Sequence, residues 1–217
     1  IRATQSVIQA QDDTGTTVSK IFDFSITSLD HVRRHLDLAA IDAAVAALAA
    51  STHIVFVGLG ASGIVAMDAE QKFPLFGVPC SAPVDAHQQF LAASTSGPST
   101  AFVAISNTGR TVSILDTVRV ARERGAVVIG ITGDRSPLAE LSTIPLVVES
   151  LDNTDVYTPT ISRLAQLVVI DVLATMVLLR RDASALEDIR TMKTRLATMR
   201  SGLHHEAVRD PNRPGRP

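Results

Sequence analysis

The sequence predicts an α/β protein: a three-layer α/β/α sandwich with a five-stranded parallel sheet. Five short apolar runs recur along the chain, and segments with helical periodicity separate most of them. The runs are apolar almost throughout, which is typical of parallel strands that are buried on both faces. This alternation indicates a doubly wound sheet with its ligand site at the carboxyl ends of the strands. The predicted strands are Ile54–Val57, Gly77–Ser81, Ala101–Ile105, Val127–Ile131 and Ile144–Val148.

The composition suits one sizeable globular domain with short appendages. The chain has 217 residues, of which 46% are hydrophobic and 19% charged. Its formal net charge of -2 gives no general reason to expect a nucleic-acid or membrane surface. Cys80 is the only cysteine, which excludes an intramolecular disulfide and a cluster of thiolate metal ligands. We expect neither a metal nor a cofactor. Because no signal peptide is visible either, we expect a cytoplasmic protein.

Polarity and periodicity divide the chain into three predicted parts. Residues 1–20 are polar and predict a linker, residues 21–200 predict the folded domain, and residues 201–217 predict a disordered tail. Two helices precede the sheet, with Asp37 as a possible N-cap of the second. The helices between the strands are expected near residues 63–75, 85–94 and 111–124.

Two helices are expected after the last strand. Ile161–Leu179 is apolar on nearly every side, which predicts a helix that is buried all round and takes part in a subunit interface. Its Asp171 would be costly in a bilayer, so we do not interpret it as a membrane span. Ala183–Met199 is more amphipathic and carries a basic flank, which is most simply a solvated face.

The first and third predicted strands each run into a polar loop. The first loop, Gly58–Gly63, has the G-x-G-x-x-G spacing of dinucleotide sites, but the next strand does not end in the acidic residue that such sites use. The second, Ser106–Thr111, carries three hydroxyls beside a glycine. Two such loops at one sheet edge favour a cradle for a small phosphate over a nucleotide module. The predicted ligand-binding residues are Gly60, Ser62, Ser106, Asn107, Thr108, Gly109, Arg110 and Thr111.

Simpler explanations exist for several of these residues. Ser62 could act only as a helix N-cap, and the hydroxyls of the second loop could belong to a solvated turn. Arg110 could bind an anionic group or face solvent, and His87 could reach the mouth of the site or be structural. The loop Glu149–Pro159 could be a lid or an ordinary surface connection.

The two loops resemble the paired signatures of the SIS (sugar isomerase) domain, a flavodoxin-like phosphosugar-binding fold. The usual second loop reads S-x-S-G-x-T, and here Thr108 replaces the middle serine while keeping a hydroxyl. The run from Ser162 to Leu173 is similar to the RpiR-type transcription regulators, as are the stretches Ser28–Arg33 and Leu178–Arg181. The likeness covers roughly residues 20–200.

This resemblance implies an effector domain rather than an enzyme. Regulators of this type carry an N-terminal helix-turn-helix domain, which this chain lacks, so DNA would be contacted only through that missing part. The resemblance is strongest to regulators of glucose and Entner–Doudoroff metabolism, which implies 2-keto-3-deoxy-6-phosphogluconate, a phosphorylated sugar acid, as the effector. We also expect a homodimer, with a tetramer as the larger alternative.

The alternative function is a phosphosugar isomerase or lyase. Such chemistry needs a positioned base, normally Glu or His. The candidates in the sequence are Glu70, His87, Glu140 and Glu149, and none falls in a loop assigned to the site. No catalytic residue is therefore predicted.

Overall fold

A parallel sheet of five strands forms the centre of the protein. The computed structural model describes residues 8–151, 161–180 and 183–206. The strands lie in the order β2-β1-β3-β4-β5, and all four pairings are parallel. The fold predicted from the sequence is confirmed. The strands are β1 (His53–Val57), β2 (Cys80–Ser81), β3 (Thr100–Ile105), β4 (Val127–Thr132) and β5 (Ile144–Val147).

Helices cover both faces of this sheet. On one face pack α1, α2, α3 and α7, and on the other α4, α5 and α6. The helices are α1 (Thr14–His35), α2 (Leu38–Ala50), α3 (Ala61–Lys72), α4 (Ala86–Ser94), α5 (Val112–Glu123), α6 (Pro137–Leu141), α7 (Ile161–Leu179) and α8 (Ala183–Glu206).

The strands supply both halves of the core by alternation. In β3, Ala101, Val103 and Ile105 pack toward the face covered by α7. Phe102 and Ala104 pack toward the face covered by α5. Every residue of β3 is buried. Because both faces need apolar side chains, the strand has a continuous apolar sequence.

Strand β2 is shorter than the predicted run from Gly77 to Ser81. Gly77 adopts a positive φ of 73° and ends a short 3-10 helix, Phe73–Phe76, so it does not enter the sheet. Pro79 has no N–H to donate, although its carbonyl accepts from Ile54 at 3.0 Å. Only Cys80 and Ser81 therefore pair with β1.

The lone cysteine is an unreactive group at this edge. Cys80 is half-buried, and its Sγ lies 3.4 Å from the Glu70 carbonyl oxygen. Burial raises the pKa of its thiol to about 11, with a smaller contribution from the nearby Glu70 charge. The thiolate is the nucleophilic form, so Cys80 is protonated and inert near neutral pH.

The first helix begins earlier than the sequence predicts. Residues 1–20 were predicted as a linker, but α1 starts at Thr14, and Asp13 Oδ1 accepts the Thr16 N–H at 2.6 Å. The same helix continues through the packed residues Ser28 and Val32. Adding turns to an existing helix requires no new nucleus, so a polar sequence can extend it. Residues 1–7 lie outside the described residues, and the role of the segment as an interdomain connection stays a prediction.

The cap of α2 agrees with the sequence prediction, and the end of α8 differs from it. Asp37 caps α2, as predicted, by accepting the N–H groups of Ala39 and Ala40 at 2.9 and 3.1 Å. Helix α8 continues to Glu206, past the predicted start of the disordered tail at residue 201. Residues 207–217, and residues 152–160 of the predicted lid, lie outside the described residues.

Helix α7 is a core helix of this fold. Nine of its 19 residues are buried, and it packs against α1, α2 and α3. Its length and hydropathy would also suit a membrane span, but half of it is buried inside the protein. Val168 and Leu179 are exposed at 47% and 74% in the single chain, so burial of this helix on all sides stays a prediction that depends on the expected subunit interface. One side of α7 therefore packs in the core, and the opposite side is exposed in the single chain.

Candidate functional site

A cavity of about 190 Å³ lies where β1 and β3 end. These strands are neighbours in the sheet, and the chain leaves them toward opposite faces, to α3 and to α5. Such a switch point opens a crevice between the two loops. The cavity is lined by Leu59, Ala61, Ser62, Ile105, Ser106, Asn107, Thr108, Thr111, Ile114, Ser162 and Gln166.

The first loop is a tight turn that delivers the start of α3 to the cavity. A Cβ at Gly58 would lie 2.7 Å from the Ser62 carbonyl oxygen, so only glycine allows this approach. Gly60 has a φ of 57° and occupies the N-cap position. Ser62 is therefore the second residue of α3 rather than its cap, which removes the simpler explanation for this serine.

The second loop is a compact turn closed by its own hydroxyls. Ser106 is buried, and its Oγ accepts the Gly109 N–H at 3.2 Å. The same Oγ lies 3.4 Å from Thr111 Oγ1. Thr111 is the N-cap residue of α5, but its hydroxyl makes no capping hydrogen bond within the described chain. Both hydroxyls line the cavity.

The connection after β4 braces this second loop from behind. Asn107 O accepts the Gly133 N–H at 2.8 Å, and Gly109 O accepts the Leu138 N–H at 3.0 Å. Gly109 has a φ of 59°, and a Cβ on it would collide with the Ser136 side chain. The loop is thus held by backbone hydrogen bonds and close packing, which gives its hydroxyls a defined position.

The electrostatics of the cavity favour an anion. The first turns of α3 and α5 both border it, through Ala61, Ser62 and Thr111. A helix N-terminus presents unpaired N–H groups and the positive end of the helix dipole. None of the described lining residues carries a charge. A phosphate or carboxylate would therefore be held by hydroxyls, N–H groups and dipoles.

Five of the eight predicted residues line this cavity, and three do not. The five are Ser62, Ser106, Asn107, Thr108 and Thr111. Gly60 and Gly109 shape the turns by their positive φ angles. Arg110 is directed elsewhere: Nη1 lies 3.1 Å from Asp134 Oδ2 and donates to Thr108 O at 2.6 Å. Its side chain is 56% exposed and does not line the cavity, so its contact with a ligand stays a prediction.

Two lining residues come from α7 and were missed as site residues. Ser162 and Gln166 are 1% and 2% exposed and face the cavity from one turn of the helix. The signal was present, because polar residues four positions apart on an apolar helix share one face. Sequence periodicity could not show which surface that face would meet.

The candidate bases of an isomerase lie away from the cavity. Glu70 Oε1 accepts the Ala82 N–H at 3.0 Å, which is a structural role. His87, Glu140 and Glu149 are exposed on α4, on α6 and after β5. Among the described lining residues there is neither an acid nor a histidine.

Comparison with known proteins agrees with this geometry. The family model of the SIS domain matches residues 47–176, which include both loops and most of α7. The chain belongs to the SIS domain family. Its match begins just before β1 and ends near the end of α7, so the cavity lies entirely within the family's domain.

Curated relatives include transcription regulators. The HTH-type transcriptional regulator HexR of Pseudomonas aeruginosa is 42% identical over 204 residues, covering 94% of this chain and 71% of that protein. HexR of Escherichia coli is 39% identical over 193 residues, covering 89% and 67%. A bifunctional protein glk of Paraburkholderia xenovorans is 34% identical, and this chain spans 30% of it. The likeness to regulators supports a role without catalysis.

Solved structures show the same fold. The Vibrio vulnificus NanR protein complexed with ManNAc-6P matches with a TM-score of 0.79 and 22% identity, covering 86% of this chain and 70% of that one. The sugar isomerase domain of an RpiR transcription factor from Sphaerobacter thermophilus matches at 0.73 and 20%, covering 82% and 98%. At these identities the match concerns the fold of the SIS domain.

Proposed function

We propose that this chain is the effector-sensing domain of a bacterial transcription regulator of sugar metabolism. It binds a phosphorylated sugar acid and passes that event to a DNA-binding domain that is not part of this chain. The HexR relatives and the SIS fold support a domain that senses a sugar phosphate in a regulator. Such a regulator acts in the cytoplasm as a homodimer.

The observation that carries this proposal is the cavity between the two loops. It gathers hydroxyls and two helix N-termini, with no described acid or histidine to abstract a proton. That donor set binds an oxyanion and leaves the sugar unchanged. A sensor needs these two properties, whereas an isomerase or lyase also needs a base.

The proposed effector is 2-keto-3-deoxy-6-phosphogluconate, which follows from the resemblance to HexR. This molecule has a phosphate at one end and a carboxylate at the other, so its site needs two groups of donors. Ser106, Thr111 and the start of α5 form one group, which we assign to the phosphate. Ser62 and the start of α3 form the second, which we assign to the carboxylate. Arg110 could join only by leaving Asp134.

A competition titration tests this assignment. The keto-deoxy acid phosphate should displace glucose 6-phosphate and fructose 6-phosphate from the protein, because a sugar without a carboxylate leaves the second group of buried donors unpaired. Product analysis after long incubation should show no turnover. A hexose phosphate that wins the competition would contradict the named effector but not the sensing of a sugar phosphate. Turnover of any of the three would favour the isomerase or lyase.

A further inference from the structure

We propose that Gln166 determines effector specificity by donating a hydrogen bond from Nε2 to an oxygen in the part of the effector that carries no phosphate. This inference rests on the proposed function, because it takes the cavity as the effector site. Gln166 belongs to α7, whereas both donor groups assigned above belong to the loops and to α3 and α5.

The first support is the placement of the side chain. Gln166 is only 2% exposed, yet it lines the cavity together with Ser62 and Ser106. It is contributed by a helix that also packs against α1, α2 and α3. The carboxamide therefore belongs to a rigid part of the core and still borders the site.

The second support is that this buried donor lacks a partner. Gln166 Nε2 makes no hydrogen bond to any residue that the structure describes. The other buried glutamine provides a contrast, because Gln89 Nε2 donates to Gly58 O at 2.8 Å and to Pro83 O at 2.9 Å. A buried donor without an acceptor destabilises a fold, so its position at a cavity indicates that a ligand supplies the acceptor.

The third support is chemical complementarity. Asn107 lines the same cavity, but its Oδ1 lies toward Gly133, where an added Cβ would be 2.7 Å from it, so Gln166 is the amide offered to a ligand. The hydroxyls of Ser106 and Thr111 and the start of α5 already account for the phosphate oxygens. The acceptors that remain for the Gln166 donor are the carbonyl, carboxylate and hydroxyl oxygens of the carbon chain. Gln166 therefore recognises the sugar acid rather than its phosphate.

Two substitutions test the role in binding. Gln166→Leu removes the donor at similar volume, and Gln166→Glu places a negative charge against an anionic effector. We expect the Kd for 2-keto-3-deoxy-6-phosphogluconate to rise roughly tenfold or more in Gln166→Leu and further in Gln166→Glu. Inorganic phosphate, measured by competition, should bind Gln166→Leu as it binds the parent chain. An equal loss for inorganic phosphate, or an unchanged Kd for the sugar acid, would overturn the proposal.

The unfolding temperature of the ligand-free protein distinguishes a ligand-binding role of Gln166 from a role in stabilising the fold. Gln166→Leu should unfold at the same temperature as the parent chain or higher, since it removes an unpaired buried donor. Gln89→Leu is the matched control and should unfold at a lower temperature, because two backbone carbonyls lose their donor. Destabilisation of Gln166→Leu comparable to that of Gln89→Leu would overturn the proposal. If the parent chain bound no sugar phosphate, the proposed function itself would fail, and the role of Gln166 with it.

Discussion

Ser62 offers the simplest test of the site at the scale of single residues. Its hydroxyl lines the cavity and makes no hydrogen bond to the described part of the chain. A hydrogen bond to a charged group contributes roughly 1.5–3 kcal/mol, so Ser62→Ala should weaken effector binding by roughly 10- to 150-fold. The same loss is expected for Ser106→Ala, with little loss of stability because the Gly109 N–H keeps the Ser106 carbonyl as an acceptor. Isothermal titration calorimetry measures both affinities.

Ser94→Ala is the matched control for these two variants. Its Oγ donates to Phe90 O at 2.9 Å within α4, and it does not line the cavity. We expect parent-like affinity for this variant. If Ser62→Ala and Ser106→Ala also retained parent affinity, the two loops would no longer be candidates for the effector site.

At the scale of elements, the start of α1 depends on one carboxylate. The Asp13 carboxylate accepts the Thr16 N–H, and this hydrogen bond lowers the pKa of Asp13. A group whose pKa is lower in the folded state stabilises that state above its unfolded pKa, and the effect is lost as pH falls through the folded pKa. Asp13→Ala should therefore lower the protection factors of the amide hydrogens in the first turns of α1, and lowering the pH through the folded-state pKa should lower them in the parent chain.

Hydrogen exchange resolved by residue measures this effect. Asp23→Ala removes the same charge from an exposed position inside α1, where the side chain caps nothing, so it should leave the first turns protected as in the parent chain. Equal protection of the first turns of α1 in the Asp13 and Asp23 variants would show that the Asp13 cap does not stabilise the start of this helix.

At the scale of the whole molecule, one hydrogen bond joins α1 to the end of the sheet. Ser28 is fully buried, and its Oγ accepts the Leu151 N–H at 3.1 Å across 123 residues of sequence. Val148, just before this point, donates to Thr132 O, and Thr132 Oγ1 contacts the braced loop through Asn107 O. These hydrogen bonds, together with the chain segment from Val148 to Leu151, connect the second loop to α1.

Ser28→Ala should lower the free energy of unfolding by about 1 kcal/mol, since a buried hydrogen bond is lost. Ser25→Ala in the same helix is the control, because its Oγ only donates to Ile21 O one turn earlier, and it should unfold with parent-like stability. Chemical denaturation followed by circular dichroism compares the three proteins. A Ser28 variant as stable as the Ser25 variant would show that this contact does not hold α1 to the sheet.

The exposed face of α7 leads to a prediction about assembly. Val168 and Leu179 remain exposed after α7 has packed on its own chain. We expect a symmetric dimer that covers this face, together with part of α8. Val168→Glu should shift the dimer toward monomer in light scattering at micromolar concentration, whereas Val84→Glu, at a more exposed valine before α4, should not. A parent chain that is monomeric under these conditions would contradict the prediction.

Much of the architecture followed from local sequence. Continuous apolar strands, glycine turns and helical spacing depend on residues close together in the chain, so the parallel sheet, the cap at Asp37 and both loops at one edge were predictable. The start of α1 was not, because a polar segment extends a helix that is nucleated elsewhere.

Tertiary structure decided which side chains share the cavity. Gln166 and Ser162 line it from a helix that begins 50 residues after the second loop. Arg110 belongs to that loop, but its side chain forms an ion pair with Asp134 after β4 and does not line the cavity. Sequence patterns report which face of a helix or strand is apolar, but they do not report which distant element that face meets. The loops of this site are therefore encoded locally, whereas the third wall of its cavity exists only because α7 packs against the sheet.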